Sequence, residues 1–183
     1  MTEHRLLPHG SGAAEAMLAV AARAELDGLR KVVRFSYRLT GDLSHVEIPP
    51  SGPPCRGERL WEHTCFEAFV APASGAGYFE LNFSPSTQWA AYAFDDYRHG
   101  MRDFALVQAP SIAVTATAVE LSVTAAMELA AFPAAPWPWR IGLAAVVKDR
   151  SGGRAYFALR HRREEPDFHD LAGFTAWLDG SAR

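Results

Sequence analysis

Residues 61–70, WEHTCFEAFV, and residues 78–84, YFELNFS, decide the fold. Side chains in a strand alternate between two faces. In the first stretch Phe66, Ala68 and Val70 share one face, and Trp61, His63, Cys65, Glu67 and Phe69 share the other. In the second, Phe79, Leu81 and Phe83 share one face, while Tyr78, Glu80, Asn82 and Ser84 share the other. The connector between them is short and holds Pro72, Ser74, Gly75 and Gly77, so the two strands pair as a hairpin. A register with Glu67 opposite Glu80, Cys65 opposite Asn82 and Phe66 opposite Leu81 gathers the apolar residues on one face, Phe69 excepted. A one-residue slip would mix the faces, so the register is constrained.

The same short-strand rhythm continues on both sides. Upstream, the segment from Ala16 to Leu26 reads as helix or strand by composition. Asp27-Gly28 followed by the alternating run from Leu29 to Leu39 favours two strands joined as a hairpin. Val33, Phe35 and Tyr37 then lie on one face, and Arg34, Ser36 and Arg38 on the other. A proline- and glycine-rich loop from Thr40 to Arg59 follows. Residues 60–94 read as three strands, and Asp95 to Gln108 as irregular chain. Ser111 to Thr117 and Val119 to Ala125 form a tight hairpin. Arg140 to Lys148 and Ala155 to His161 are strands around the turn from Asp149 to Gly153. Phe168 to Leu178 closes the chain as a strand or a short helix. Many short strands without a βαβ rhythm predict an all-β fold, an antiparallel two-sheet β-sandwich, with residues 1–183 as a single domain. Gly152-Gly153 sits between strands and reads as a hairpin turn, not a phosphate loop.

Composition narrows the function classes. Hydrophobic residues make up 49% and charged residues 21%, the balance of a chain that builds a core. The net charge of -3 and a pI near 6.2 argue against a nucleic-acid partner. The basic cluster Arg160, Arg162 and Arg163 is partly cancelled by Glu164 and Glu165. The N-terminal residues lack a signal-peptide pattern, and the apolar run from Met17 to Ala22 is broken by Arg23 and Glu25. A cytoplasmic protein with no membrane partner is the expectation. Cys55 and Cys65 are then expected as free thiols.

The polar face of the central hairpin is where function is expected. It holds Trp61, His63, Cys65, Glu67, Tyr78, Glu80 and Asn82, an aromatic and polar mixture of the kind that binds ligands. The competing interpretation is a merely solvated sheet face. Two facing carboxylates repel unless an arginine, a shared proton, a cation or a ligand donor intervenes. Arg98, Arg140 and Arg160 are the candidate arginines. The expected pocket places Glu67 and Glu80 with Trp61, Tyr78, Asn82 and Trp89, and the ligand-binding set also includes His63 and Arg98. In the segment 166–169, PDFH, Asp167 or His169 is expected to hydrogen-bond into the central sheet and fix the C-terminal segment.

At these residues the chain resembles bacterial DOMON-like proteins, which are similar to family-nine carbohydrate-binding modules. The resemblance is carried by LWEHTCFE (residues 60–67), YFELNFSPS (78–86), WAAY (89–92), Tyr97-Arg98 and PDFH (166–169), and spans roughly Ala16 to Leu178. It implies a sandwich of two antiparallel sheets that binds saccharides or haem and is not catalytic by itself. The phrase YFALRH (156–161) differs from the usual pattern, which has tryptophan where this chain has Phe157.

The leading expectation is therefore a non-catalytic domain for a small polar molecule, a saccharide or related metabolite, with no cofactor and no catalytic residue. One alternative is a glycosidase-like enzyme using the Glu67/Glu80 pair with His63, His161 or His169. Another is a haem protein, although neither Met101 nor Met127 lies in a phrase matching the Met/His axial pair of haem-binding DOMON domains. A divalent-cation site from Glu67, Glu80, His63 and His169 is the third.

Overall fold

The computed structural model describes residues 2–10, 17–132 and 137–180. Their strands are β1 (His4–Pro8), β2 (Leu18–Asp27), β3 (Val32–Gly41), β4 (Cys65–Pro72), β5 (Tyr78–Phe83) and β6 (Trp89–Phe94). They continue with β7 (Arg102–Asp103), β8 (Ser111–Ala116), β9 (Glu120–Glu128), β10 (Trp139–Lys148), β11 (Arg154–Ala158) and β12 (Ala176–Leu178). The pairings between these strands are antiparallel, in the order β7-β6-β5-β4-β10-β11-β1-β2-β3-β9-β8, with β12 beside β10.

The sheet curls on itself at β1, which pairs with β2 through Leu6 and Val20 and with β11 through Leu7 and Ala158. The β2-β3-β9-β8 portion thereby covers one face of the β6-β5-β4-β10-β11 portion, giving the sandwich that the alternation predicts. Phe35 and Tyr37 of β3 and Val123 of β9 meet Phe66, Phe83 and Leu143 in a single core. Phe35 stacks on Phe83 at 5.9 Å between centroids, and Tyr37 lies 5.1 Å from Phe66. The buried Tyr37 hydroxyl donates to the Glu67 carbonyl at 2.8 Å, so its polar atom is satisfied. Four of the five residues expected in the core, Phe66, Val70, Leu81 and Phe83, are buried. Phe79 is only partly so.

The hairpin register differs from the expected one by two residues. Glu67 pairs with Asn82, Glu80 with Phe69, and Phe66 with Phe83. A shift of two preserves both faces, so the alternation argument survives while the direct Glu67–Glu80 opposition does not. The reason lies in the turn. The ladder's last pair is Val70 with Phe79, beyond which Pro72 has no N–H to donate and Gly75 takes a left-handed φ of 104°. The wider loop also sets Phe66 against Phe83 and spares two carboxylates a directly opposed position.

Other boundaries also moved. β1 was not anticipated from the sequence. β3 begins at Val32 rather than Leu29, and the loop after it starts with the end of β3 and a 3-10 turn, Leu43–His45. β11 stops at Ala158, short of His161, and β7 interrupts the irregular stretch. The C-terminal segment contains both a 3-10 turn, Leu171–Gly173, and β12. Ala16 lies outside the described residues. Trp61 and His63 precede the strand: residues Leu60–Glu62 form a 3-10 turn and β4 begins only at Cys65. Arg59 opens that turn at a left-handed φ of 52°, which swings Trp61 out of the sheet plane.

Candidate functional site

β4, β6 and β10 are buried along nearly their whole length, on both faces. The polar face of the hairpin is therefore covered. The cover is the Leu60–Glu62 turn on one side and residues 160–175 on the other. Phe174 packs on Phe69 at 5.5 Å and on Tyr78 at 5.9 Å. Gly142 of β10 makes this possible, because a Cβ there would lie 2.7 Å from the Phe174 ring. Leu60, Phe69, Tyr78, Phe94 and Phe174 form a second apolar cluster on this side of the sheet.

Between the two parts of the cover lies a cavity of about 350 Å³. Glu67 and Glu80 line it, on adjacent strands and diagonal to one another, a relation that places such residues roughly 7–8 Å apart. Both are buried, at 4% and 5% exposure. Trp61, Phe94, Tyr156 and Phe168 supply aromatic surface, and His169, Arg98 and Arg154 supply nitrogen.

The groups around the carboxyls are held by one another. Asn82 Nδ2 donates to Glu80 Oε1 at 2.7 Å. The Tyr78 hydroxyl lies 2.7 Å from His169 Nδ1 and accepts from the Arg98 backbone N–H at 3.2 Å. His169 Nε2 faces Glu80 Oε2 at 3.7 Å. Arg98 has a left-handed φ of 51°, and its guanidinium reaches Asp167 at 3.0 Å. Asp167 also accepts from Tyr97 at 2.9 Å and pairs with Arg163 at 3.1 Å. The C-terminal segment is thus fixed both through His169 to β5, as the sequence led us to expect, and through Asp167 to the loop after β6. No described residue donates a hydrogen bond to the Glu67 carboxyl.

Burial sets the protonation states. Burial first, and then the charge of Glu80, push Glu67 well above the ordinary carboxylate range, with Arg98 opposing. Glu80 is also raised by burial, against the Asn82 hydrogen bond and Arg98. Both carboxyls are thus held above their usual range, Glu80 alone having an amide donor that opposes the burial. Burial lowers His169 to about 4, so the ring is neutral near pH 7. Burial raises Tyr78 to about 12, which keeps its proton available to His169. Burial alone would raise Asp167, but the Arg98 and Tyr97 hydrogen bonds outweigh it and hold the carboxyl below its usual range.

Of the residues singled out from the sequence, Trp61, Glu67, Glu80 and Arg98 line the cavity. Tyr78 and Asn82 stand behind it, orienting His169 and Glu80. His63 does not join them. It is exposed, bonded through Nδ1 to Glu47 at 2.8 Å, and borders a separate cleft with Cys55 and Ser86. A cation site that includes His63 with Glu67, Glu80 and His169 is therefore not assembled. Trp89 pairs with Phe83 and so faces the sandwich core. The aromatic residues of β6 on that face are Tyr92, opposite Glu80 and 5.9 Å from Trp61, and Phe94, which lines the cavity. Of the other candidate arginines, Arg140 lies in β10 near its Trp177 pairing and does not line the cavity. Arg160 borders only a minor crevice beneath the C-terminal cover. Tyr156, Phe168 and Arg154 were missed. Tyr156 could have been found from the alternation of β11, which sets it opposite the face of Ala155 and Phe157.

The fold and site together define a β-sandwich with a covered, carboxylate-floored cavity on the outer face of one sheet. No family model and no curated protein sequence matches the chain. Among solved structures, a proposed carbohydrate-binding protein from Bacteroides uniformis superposes with a TM-score of 0.67 at 12% identity, over 94% of this chain and 84% of that one. A family-nine carbohydrate-binding module from Caldicellulosiruptor kristjanssonii, in complex with cellotriose, superposes with a TM-score of 0.53 at 10% identity, over 86% and 71%. The fold is that of the family-nine carbohydrate-binding modules.

Proposed function

We propose that this chain is a non-catalytic binding domain for a small saccharide, held in the cavity floored by Glu67 and Glu80. The carrying observation is the Glu67 carboxyl: almost fully buried, without a donor from any described residue, and facing a cavity of about 350 Å³. A buried polar group without a protein partner is costly, so a hydroxylated ligand that satisfies it gains affinity there. The aromatic rings of Trp61, Phe94, Tyr156 and Phe168 suit the apolar faces of a sugar ring, and the carboxyls suit its hydroxyls. The likeness in fold to a module solved with cellotriose supports the same reading.

The test is calorimetric titration with mono- and disaccharides on the wild type and on Trp61→Ala. Binding by the wild type with at least a roughly tenfold loss in Trp61→Ala is expected, the truncation removing a stacking wall. Failure of every saccharide to bind, or undiminished binding by Trp61→Ala, would overturn the proposal.

A further inference from the structure

The cavity floor has an unbalanced supply of hydrogen-bonding groups. Glu67 and Glu80 offer four carboxyl oxygens, and the described residues give them one hydrogen bond, from Asn82 to Glu80 Oε1. His169 Nε2 stands at 3.7 Å from Oε2 of Glu80, beyond hydrogen-bond range. Among the described residues no lysine or arginine forms an ion pair with either carboxyl, although the charge of Arg98 acts on both. Arg98 lines the cavity, but its Nη2 is bonded to Asp167 at 3.0 Å rather than to either glutamate. Arg154 donates to the Glu62 carbonyl at 3.2 Å. His169 Nδ1 is engaged with the Tyr78 hydroxyl at 2.7 Å. The walls around this acidic floor are Trp61, Phe94, Tyr156 and Phe168, whose ring faces also attract cations.

From this juxtaposition we infer that the ligand is an amino sugar, whose protonated amine sits between Glu67 and Glu80 while its ring lies against the aromatic walls. This rests on the saccharide reading above and sharpens it to a substrate class. A neutral sugar hydroxyl brings one donor and so satisfies one lone pair of one carboxyl. An ammonium brings three donors and a charge that compensates the two carboxylates. Hydrogen bonds to charged groups exceed neutral ones by enough to make a difference of roughly tenfold in affinity. N-acetylation removes both the charge and two of the three donors, so the acetylated sugar should lose that advantage.

The experiment titrates the intact protein, at about pH 6 where the amine is a cation, with glucosamine, galactosamine and mannosamine, each beside its parent hexose and its N-acetyl derivative. At least one amine binding about tenfold or more tighter than both of its neutral counterparts is the expected result. Glu67→Gln and Glu80→Gln, near-isosteric and checked for an unchanged fold by circular dichroism, should erase that preference. Amines and parent hexoses binding equally overturns the inference and leaves the saccharide reading standing. Neutral disaccharides binding where no hexosamine does has the same consequence. No binding by any sugar in either panel overturns both. A preference that survives in both glutamine variants also overturns the inference, because the amine then lies elsewhere.

Discussion

Replacing Gly142 by alanine should break the cover of the site without touching the sandwich core. A Cβ at this position meets the Phe174 ring at 2.7 and 2.9 Å and Phe69 Cβ at 3.2 Å, where ordinary contact begins at 3.4 Å. The Phe174 ring must therefore retreat by about 0.7 Å. It has little room to do so, being buried against Phe69 and Tyr78. Overpacking of this kind costs about 1–3 kcal/mol, and an alanine in place of glycine returns only about 0.4–1 kcal/mol through the unfolded chain. A net loss of about 1–2 kcal/mol is expected in urea denaturation, with the slope unchanged. The steric cause can be isolated by a double-mutant cycle with Phe174→Leu, which removes the ring atoms in question. If the ring is what the introduced methyl strikes, Gly142→Ala should cost at least about 1 kcal/mol less in the Phe174→Leu background. A cost below about 0.5 kcal/mol in the wild type, or the same cost in both backgrounds, would refute the argument that Gly142 is there to admit Phe174.

The protonation states lead to two pH-dependent expectations. Glu67, raised in the folded state, binds a proton on folding, so its contribution is fully present below the ordinary glutamate value of ~4.3 and is lost as pH rises through its raised folded value. A glutamine at this position carries no such charge, so the urea midpoint of Glu67→Gln should gain on the wild type as pH rises from about 5 to about 9, and parallel curves would rule this out. His169 is lowered in the folded state, so in the window between ~6.5 and about 4 the unfolded chain takes up the proton and stability falls with pH. Its ring resonances should titrate with a midpoint of about 4 by NMR, whereas a midpoint near ~6.5 would mean the ring is not buried against Tyr78. Phe83→Ala, at 0% exposure in the core, should cost about 3–5 kcal/mol by the same denaturation assay, and a cost under ~1 kcal/mol would contradict its packing against Phe35.

The period-two pattern made the faces of the central hairpin legible, because side-chain alternation is a property of the backbone alone. Register depends on the turn as well, and the positions of Pro72 and Gly75 moved it by two residues without exchanging a single face. Trp89 was misplaced for a related reason. Its face depends on the length of the turn between β5 and β6, which pairs Phe83 with Trp89 and so commits the indole to the core. His63 was lost because alternation was extended through a segment that is a 3-10 turn, whose left-handed Arg59 gives no hydrophobic signal. The arrangement of the cover was the least legible feature. Whether residues 160–175 lie over the hairpin is a long-range question that local periodicity cannot answer. The one usable sign was that Phe69 is a large apolar residue on an otherwise polar face. It is now seen beneath Phe174 and 5.3 Å from His169.

A sheet face that is to be buried is most cheaply filled with apolar side chains, and most of this one is: Phe69, Ala90, Phe94, Ala144 and Ala158 all sit in the outer cluster. Glu67 and Glu80 interrupt it at its centre, at a desolvation cost that neither Asn82 nor Arg98 removes. Local rules and global fold disagree here and agree almost everywhere around it, the condition under which a functional origin is the economical explanation. A purely structural carboxyl pair would be expected to have its arginine in direct contact. In this chain the nearby arginine is drawn off by Asp167, itself held by Tyr97 and Arg163. Asp167 thus ties down the segment that roofs the cavity, through Tyr97 and Arg98 of the loop after β6.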